Sequence, residues 1–345
     1  MTRVAGVDPG TVSFDVCVLD DGEVILERSF STEAVGADPA PLVETLTGHG
    51  PYDLVLGPAG YGLPLVPAQR VGERELELMV LLRADEPGRR VGIGGMRTII
   101  RALIVAGLPL VFGPGAIHLR TIPAYRKWNR IDLGTADKVA SAALCIADQS
   151  RRLGVDFADT SFVMLELGGA FSAALAIDAG RIVDGLGGSA GPIGARACGA
   201  LDAEVAYLLG AALSKRTVFS GGALDPRGEI DLAEARDPAG WLALEEGAAK
   251  AVLALTISAP APREILVTGR LAHAPGVLEA LGERLATVAP VRSVAKASAQ
   301  GAAVLADGLA GGRYTALVDR LGVRDARGSA LDHLRLHGAD QIRLR

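Results

Sequence analysis

The residues best suited to chemistry in this chain begin with Val4-Ala5-Gly6-Val7-Asp8-Pro9-Gly10-Thr11-Val12-Ser13. An apolar strand runs into a carboxylate, and a glycine turn flanked by hydroxyls follows. Gly10 has no Cβ, so its backbone can approach a phosphate closely. Thr11 and Ser13 offer hydroxyl donors. Asp8 cannot hold a phosphate alone, but it can hold Mg2+ that does, directly or through water. The same residues also suit an ordinary hairpin turn. What favours chemistry is recurrence. Ser161 to Leu165 leads into Glu166-Leu167-Gly168-Gly169, with strands at Phe171 to Ile177 and Arg181 to Val183 beyond. Strand, acid, glycine turn, strand, short turn, strand repeats in order and spacing, although the identities differ. A duplicated fold with one phosphate loop per half explains this.

Between the two copies lies a dense polar segment, Gly113 to Lys138, holding His118, Arg120, Thr121, Arg126, Asn129, Arg130, Asp132, Thr135, Asp137 and Lys138. Such a mixture inside an apolar chain points to a site on loops. The bland reading is a solvated connection between domains. Thr135 and Asp137 suit the first turn of a helix running to about Leu153, where oxygens satisfy free amides. Gly185 to Gly194 is a glycine-rich loop, able to shape the mouth of a substrate site or simply to connect. Ile265-Leu266-Val267-Thr268-Gly269-Arg270 ends a strand with a glycine suited to a flat ligand or to another backbone. Val91-Gly92-Ile93-Gly94-Gly95 resembles a phosphate loop only weakly. Ala297 to Ala303 opens a helix of tiny residues, which allows close helix crossings.

These motifs need elements to hold them. Residues 3 to 29 read as three strands, with a hairpin signal at Asp20-Asp21-Gly22. Pro39 to Thr47 suits a short helix. Leu54 to Leu56 is a brief strand, broken by Pro58 to Gly62 at the end where open α/β sheets place ligands. Leu63 to Arg90 is irregular and charged. Helices are expected at Met96 to Ala106, Ala200 to Ala212, Pro238 to Ser258, Val277 to Leu285 and Tyr314 to Leu321.

A chain of 345 residues is long enough for about two domains. Aromatics make up only 4%, so the core must rest on Ala, Val, Leu and Ile. A net charge of -5 gives no footprint for nucleic acid and no reason to expect an acidic membrane as partner. No signal-peptide core or long apolar run is present, and the separated Cys17, Cys145 and Cys198 have no metal spacing. Buried reduced thiols in a cytoplasmic protein are the expectation.

Asp8-Pro9-Gly10-Thr11, Glu166-Leu167-Gly168-Gly169, Val267-Thr268-Gly269-Arg270 and Ala299-Gln300-Gly301-Ala302-Ala303 resemble, in order, the two phosphate loops, adenosine loop and second connecting helix of one superfamily. It holds the sugar kinases, acetate kinase, actin and the heat-shock ATPases. Ile131 to Lys138 and Asp184-Gly185-Leu186-Gly187-Gly188-Ser189 are more closely similar to a largely archaeal family of predicted butyrate kinases. The resemblance implies an α/β protein of two ribonuclease-H-like domains with mixed five-stranded sheets, residues 1–155 and 156–311, and a tail from 312 to 345. It implies ATP and Mg2+ in a cleft between them. Asp8 and Glu166 would serve the metal, with Asp137 as the candidate base. Gly10, Thr11, Ser13, Gly168, Gly169, Gly269 and Arg270 would bind nucleotide. Arg120, Arg126, Gly187 and Gly188 would meet a small carboxylate acceptor, with Arg126 also neutralising the transferred group. Two departures stand out: many members carry Asp where this chain has Glu166, and acetate kinase has Asn at the place of Asp8. A hydroxyl kinase and a non-catalytic nucleotide sensor are the competing readings. Oligomeric state is open, with a homodimer as the candidate.

Overall fold

The computed structural model describes residues 1–86, 93–225, 237–294 and 298–345. The glycine run from Val91, the end of the charged stretch before it and Ala297 therefore lie wholly or partly outside the described residues.

The first half builds strands β1 (Arg3–Pro9), β2 (Ser13–Asp20), β3 (Glu23–Ser31), β4 (Leu54–Gly57), β5 (Val66–Pro67) and β6 (Leu110–Phe112). The second builds β7 (Phe162–Leu167), β8 (Ser172–Asp178), β9 (Arg181–Leu186), β10 (Glu264–Thr268) and β11 (Val291–Ser293). The first sheet has the order β3-β2-β1-β4-β6-β5 and the second β11-β10-β7-β8-β9. In each half, an antiparallel meander of three strands is extended by parallel pairing of its first strand with a later one. The expectation of two five-stranded sheets needs correction: the first has six, because the two-residue β5 adds to the edge of β6.

The duplication extends below the level of topology. Asp21 and Gly22 both take positive φ at the β2–β3 turn, as do Ala179 and Gly180 at the β8–β9 turn. Each hairpin then shows a register shift two pairs beyond its turn, at Val18/Leu19 and at Ala176/Ile177. Only the first of these turns carries the Asp-Gly signature.

The helices are α1 (Thr32–Ala37), α2 (Ala40–Gly48), α3 (Glu73–Val80), α4 (Ile93–Val105), α5 (Ala124–Lys127) and α6 (Ala136–Leu153) in the first half. After it come α7 (Ala203–Leu209), α8 (Lys215–Val218), α9 (Pro238–Leu255), α10 (Val277–Arg284), α11 (Ser298–Leu309) and α12 (Thr315–Leu321). The charged stretch read as irregular contains α3, which buries Leu76, Met79 and Val80 at helical spacing. The helix expected over Ala200 to Ala212 shortens to α7 with a 3-10 turn after it.

Three apolar layers result, built almost wholly from aliphatic side chains. One covers the outer face of the first sheet, with Val7, Val16, Leu42 and Ile100. Another covers the outer face of the second, with Val163, Leu165, Leu244 and Val252. The central layer is shared: Val4 and Leu19 from one sheet, Phe162 and Met164 from the other, and α6 and α11 between them. Small residues make this possible. A Cβ on Gly6 of β1 would collide with the Ala303 backbone nitrogen of α11, and one on Gly301 of α11 with the Ala140 carbonyl of α6. Cys17 and Cys145 are buried as expected, whereas Cys198 is only half-buried.

Candidate active site

Strand alternation places the two acids. In β1, Val4 faces the central layer and Ala5 and Val7 the outer one, so Asp8 points inward. In β7, Phe162 and Met164 face the central layer and Val163, Leu165 and Leu167 the outer one, so Glu166 also points inward. Each acid is thus the last inward residue of its strand, two positions before a turn glycine. Both have only 8% of their surface exposed.

The turns are built alike. A Cβ on Gly10 would lie 2.6 Å from the Ser13 carbonyl oxygen, and one on Gly168 2.9 Å from that of Phe171. The tips meet. The Cβ position of Gly169 lies 3.3 Å from Val12 Cγ2, 3.6 Å from Thr11 Oγ1 and 3.9 Å from Arg270 Cδ. Ser13 Oγ donates to Asp15 Oδ2 at 3.0 Å. Gly269, at φ +91°, passes against backbone: its Cβ position is 2.6 Å from the Leu167 carbonyl oxygen.

The first turn of α6 supplies the other charges. Thr135 Oγ1 donates to Asp137 Oδ1. Lys138 Nζ donates to Asp137 Oδ2 and, at 2.6 Å, to Glu166 Oε1. One turn on, Ser141 Oγ donates to Glu166 Oε2 at 3.2 Å and lies 2.9 Å from Ser298 Oγ of α11. Asp8 Oδ1 is buried with no hydrogen-bond partner. A crevice lined by Asp8, Asp137, Pro58, Gly113, Ala140 and Ser298 opens beside it. The break after β4 thus stands at the crevice wall.

The electrostatics follow from this geometry. Burial first, then Asp137, pushes the Asp8 carboxyl well above the usual range, with Lys138 pulling the other way. Burial also raises Glu166, against the attraction of Lys138. Burial opposes the charge of Asp137 as well, but Lys138 and Thr135 overcome it and hold that carboxyl below its ordinary value. Burial likewise works against the Lys138 ammonium, and Asp137 and Glu166 reverse it.

The structure therefore brings together Asp8, Asp137, Glu166 and both glycine turns, with Arg270 exposed beside the tips. The polar segment reaches the site through Asp137 and Lys138, but its earlier residues are bound elsewhere. Thr121 Oγ1 donates to the Ile182 carbonyl at 2.6 Å. Arg126 Nη1 donates to the Val183 carbonyl at 2.7 Å, and its Nε lies 3.6 Å from Asp184 Oδ2. Asp132 accepts from Gly134 N and from Ser189 N and Oγ, each at 3.0 Å. A Cβ on Gly187 would strike Asp132, and one on Gly188 would lie 2.7 Å from the Phe171 Cβ. The segment thus runs along β9 and holds the glycine-rich loop. Arg120 is exposed to solvent. Lys138 and Ser141 carried no assigned role in the sequence reading. Their i, i+3 spacing on a helix whose first turn holds Asp137 is the signal that places them together.

A divalent ion is compatible with this donor set in one respect. The orphaned Asp8 oxygen is a hard donor facing a crevice, and Mg2+ bound with phosphates takes only one or two carboxylates. Asp137 and Glu166 are already engaged by Lys138. Among the described residues no group of three or more His, Cys, Asp or Glu forms a metal cage. Nor is any described helix long and apolar enough to cross a membrane.

Two similar sheets with acidic hairpins meeting over a connecting helix define the actin-like ATPase fold, and solved structures agree. A propionate kinase from Francisella tularensis subsp. tularensis SCHU S4 superposes with TM-score 0.59 at 14% identity, covering 88% of this chain and 98% of the other. An acetate kinase from Porphyromonas gingivalis gives 0.59 at 14%, covering 89% and 99%. One from Entamoeba histolytica gives 0.54 at 13%, covering 83% and 86%. No curated protein matches the sequence. The chain belongs to the family described as Protein of unknown function (DUF1464), which it matches over residues 6–336.

Proposed function

We propose that the protein is an ATP- and Mg2+-dependent phosphotransferase whose acceptor is a small carboxylate such as butyrate. One observation carries the reading: two equivalent acid-x-Gly hairpins, one from each sheet, meet at their tips while their acids converge on the first turn of α6. Phosphoryl transfer needs positioning and charge neutralisation more than covalent chemistry, and this arrangement supplies both. In this reading Gly10, Thr11, Gly168 and Gly169 offer their turns to the phosphates, and Arg270 adds a cation at the tips. Asp8 holds the metal, which would draw charge from the transferring group. Glu166 and Asp137 orient Lys138 beside the crevice. Arg126 braces β9, so its role toward the acceptor is indirect.

The state of Asp137 favours a carboxylate acceptor over a sugar hydroxyl. A hydroxyl needs a base to take its proton, and both oxygens of Asp137 are already engaged, one by Thr135 and one by Lys138. A carboxylate is already ionised and needs no base. The fold is also the one found in the acetate and propionate kinases.

ATP consumption measured with butyrate, acetate, propionate and a sugar panel tests the proposal. Stimulation by a short carboxylate is expected. Stimulation by a sugar alone would replace the acceptor, and tight nucleotide binding with no stimulation by any acceptor would favour a sensor.

A further inference from the structure

Next to the crevice wall at Asp137, the chain supplies a positive charge of its own. Lys138 Nζ sits between two carboxylates from different halves of the fold, Asp137 and Glu166. Its side chain has 13% of its surface exposed, theirs 20% and 10%. Ser141 takes the remaining Glu166 oxygen and Thr135 the remaining Asp137 oxygen. Asp8, nine-tenths buried beside them, keeps an oxygen with no partner. Three carboxylates thus face one ammonium, and two of them are spent on it. Without the Lys138 ammonium, the Asp137 and Glu166 oxygens it now holds would be free to meet a hard cation.

We infer that Lys138 is a resident cation that excludes divalent metal from Asp137 and Glu166, leaving only Asp8 to receive it with the nucleotide. An ammonium and a divalent ion compete for the same oxygens, and both charges cannot sit within hydrogen-bond distance of one carboxylate pair without strong repulsion. The arrangement makes metal entry conditional. A single carboxylate binds a hydrated divalent ion weakly, and phosphate oxygens must complete its shell. Lys138 also ties the two halves together, since Asp137 lies in α6 and Glu166 in β7. The phosphotransferase reading enters only in the identity of the anion that accompanies the metal; exclusion of the metal from the nucleotide-free protein stands without it.

The test is Mn2+ binding to the full chain without nucleotide, read by electron paramagnetic resonance and by the thermal shift the metal causes. Wild type and Lys138→Arg should show no specific site and no shift. Lys138→Met should bind one Mn2+ per chain and gain thermal stability from it, and adding Glu166→Gln to that variant should abolish both effects. If Lys138→Met is unfolded without metal, folding on addition of Mn2+ supports the inference, and failure to fold with Mn2+ overturns it. Equal Mn2+ binding by wild type and Lys138→Met also overturns it. Normal metal behaviour in these variants combined with no ATP binding by wild type would remove the proposed function and leave this inference standing.

Discussion

Asp8 stands where it costs the fold stability. Its carboxyl is buried, has an oxygen with no partner and faces Asp137 and Glu166. Asp8→Asn should therefore raise the melting temperature of the ligand-free protein at neutral pH while removing metal-dependent nucleotide binding, as read by calorimetry. Unchanged binding would take the metal from Asp8. His118 gives a prediction in pH. It is buried, and burial lowers its pKa to about 4 while the Gly115 carbonyl partly offsets the effect. Its folded value lies below the unfolded one, so the unfolded chain takes up the proton first as pH falls. Stability present above about pH 6.5 is then lost on acidification toward pH 4, by roughly 3 kcal/mol for a shift of this size. Chemical denaturation of wild type and His118→Gln across that window measures it. A stability difference independent of pH would mean that His118 titrates normally.

At the scale of elements, the crossing of α6 and α11 governs where Asp137, Lys138 and Ser298 stand. Gly301 lets the helices touch at the Ala140 carbonyl. Gly301→Ala should force them apart and cost about 1–3 kcal/mol, as overpacking does. It should also weaken nucleotide binding although no nucleotide contact is assigned to residue 301. Full stability in urea denaturation would argue against so tight a crossing. The loop after β9 depends on Asp132, whose carboxylate accepts from Gly134 and Ser189. In Asp132→Ala, hydrogen exchange should quicken at residues 187 to 191, while exchange in β1 and β7 stays as in wild type. Unchanged exchange in the loop would show that other contacts suffice.

Over the whole molecule, the shared central layer matters most. It contains residues from both sheets and from α6 and α11, so neither half can lose its inner face without exposing the other. Thermal unfolding should accordingly be one transition, although the chain contains two similar sheets. Two resolved transitions in calorimetry would show independently stable halves. A ligand that binds only the native state should shift that single transition as a unit, by about 2.7 kcal/mol at a hundredfold excess over its Kd.

Local rules alone place β1 to β3 and β7 to β9, both acidic glycine turns and the small-residue helix. Alternation, turn residues and glycine spacing are written within a few neighbouring positions. Helix α3 was legible in principle, but its charged residues obscured the buried Leu76, Met79 and Val80. Only tertiary structure decided that Lys138 lies between Asp137 and Glu166, and that Arg126 donates to the Val183 carbonyl of β9. Both depend on contacts between residues far apart in the chain, where hydrogen-bond geometry and desolvation select a partner that spacing does not specify. The polar segment shows the reason most plainly. Its composition announced a site, and its end, Asp137 and Lys138, reaches one; Thr121 and Arg126 donate instead to backbone acceptors of β9, and Asp132 accepts from the glycine-rich loop, because those partners stand nearest once the chain is folded.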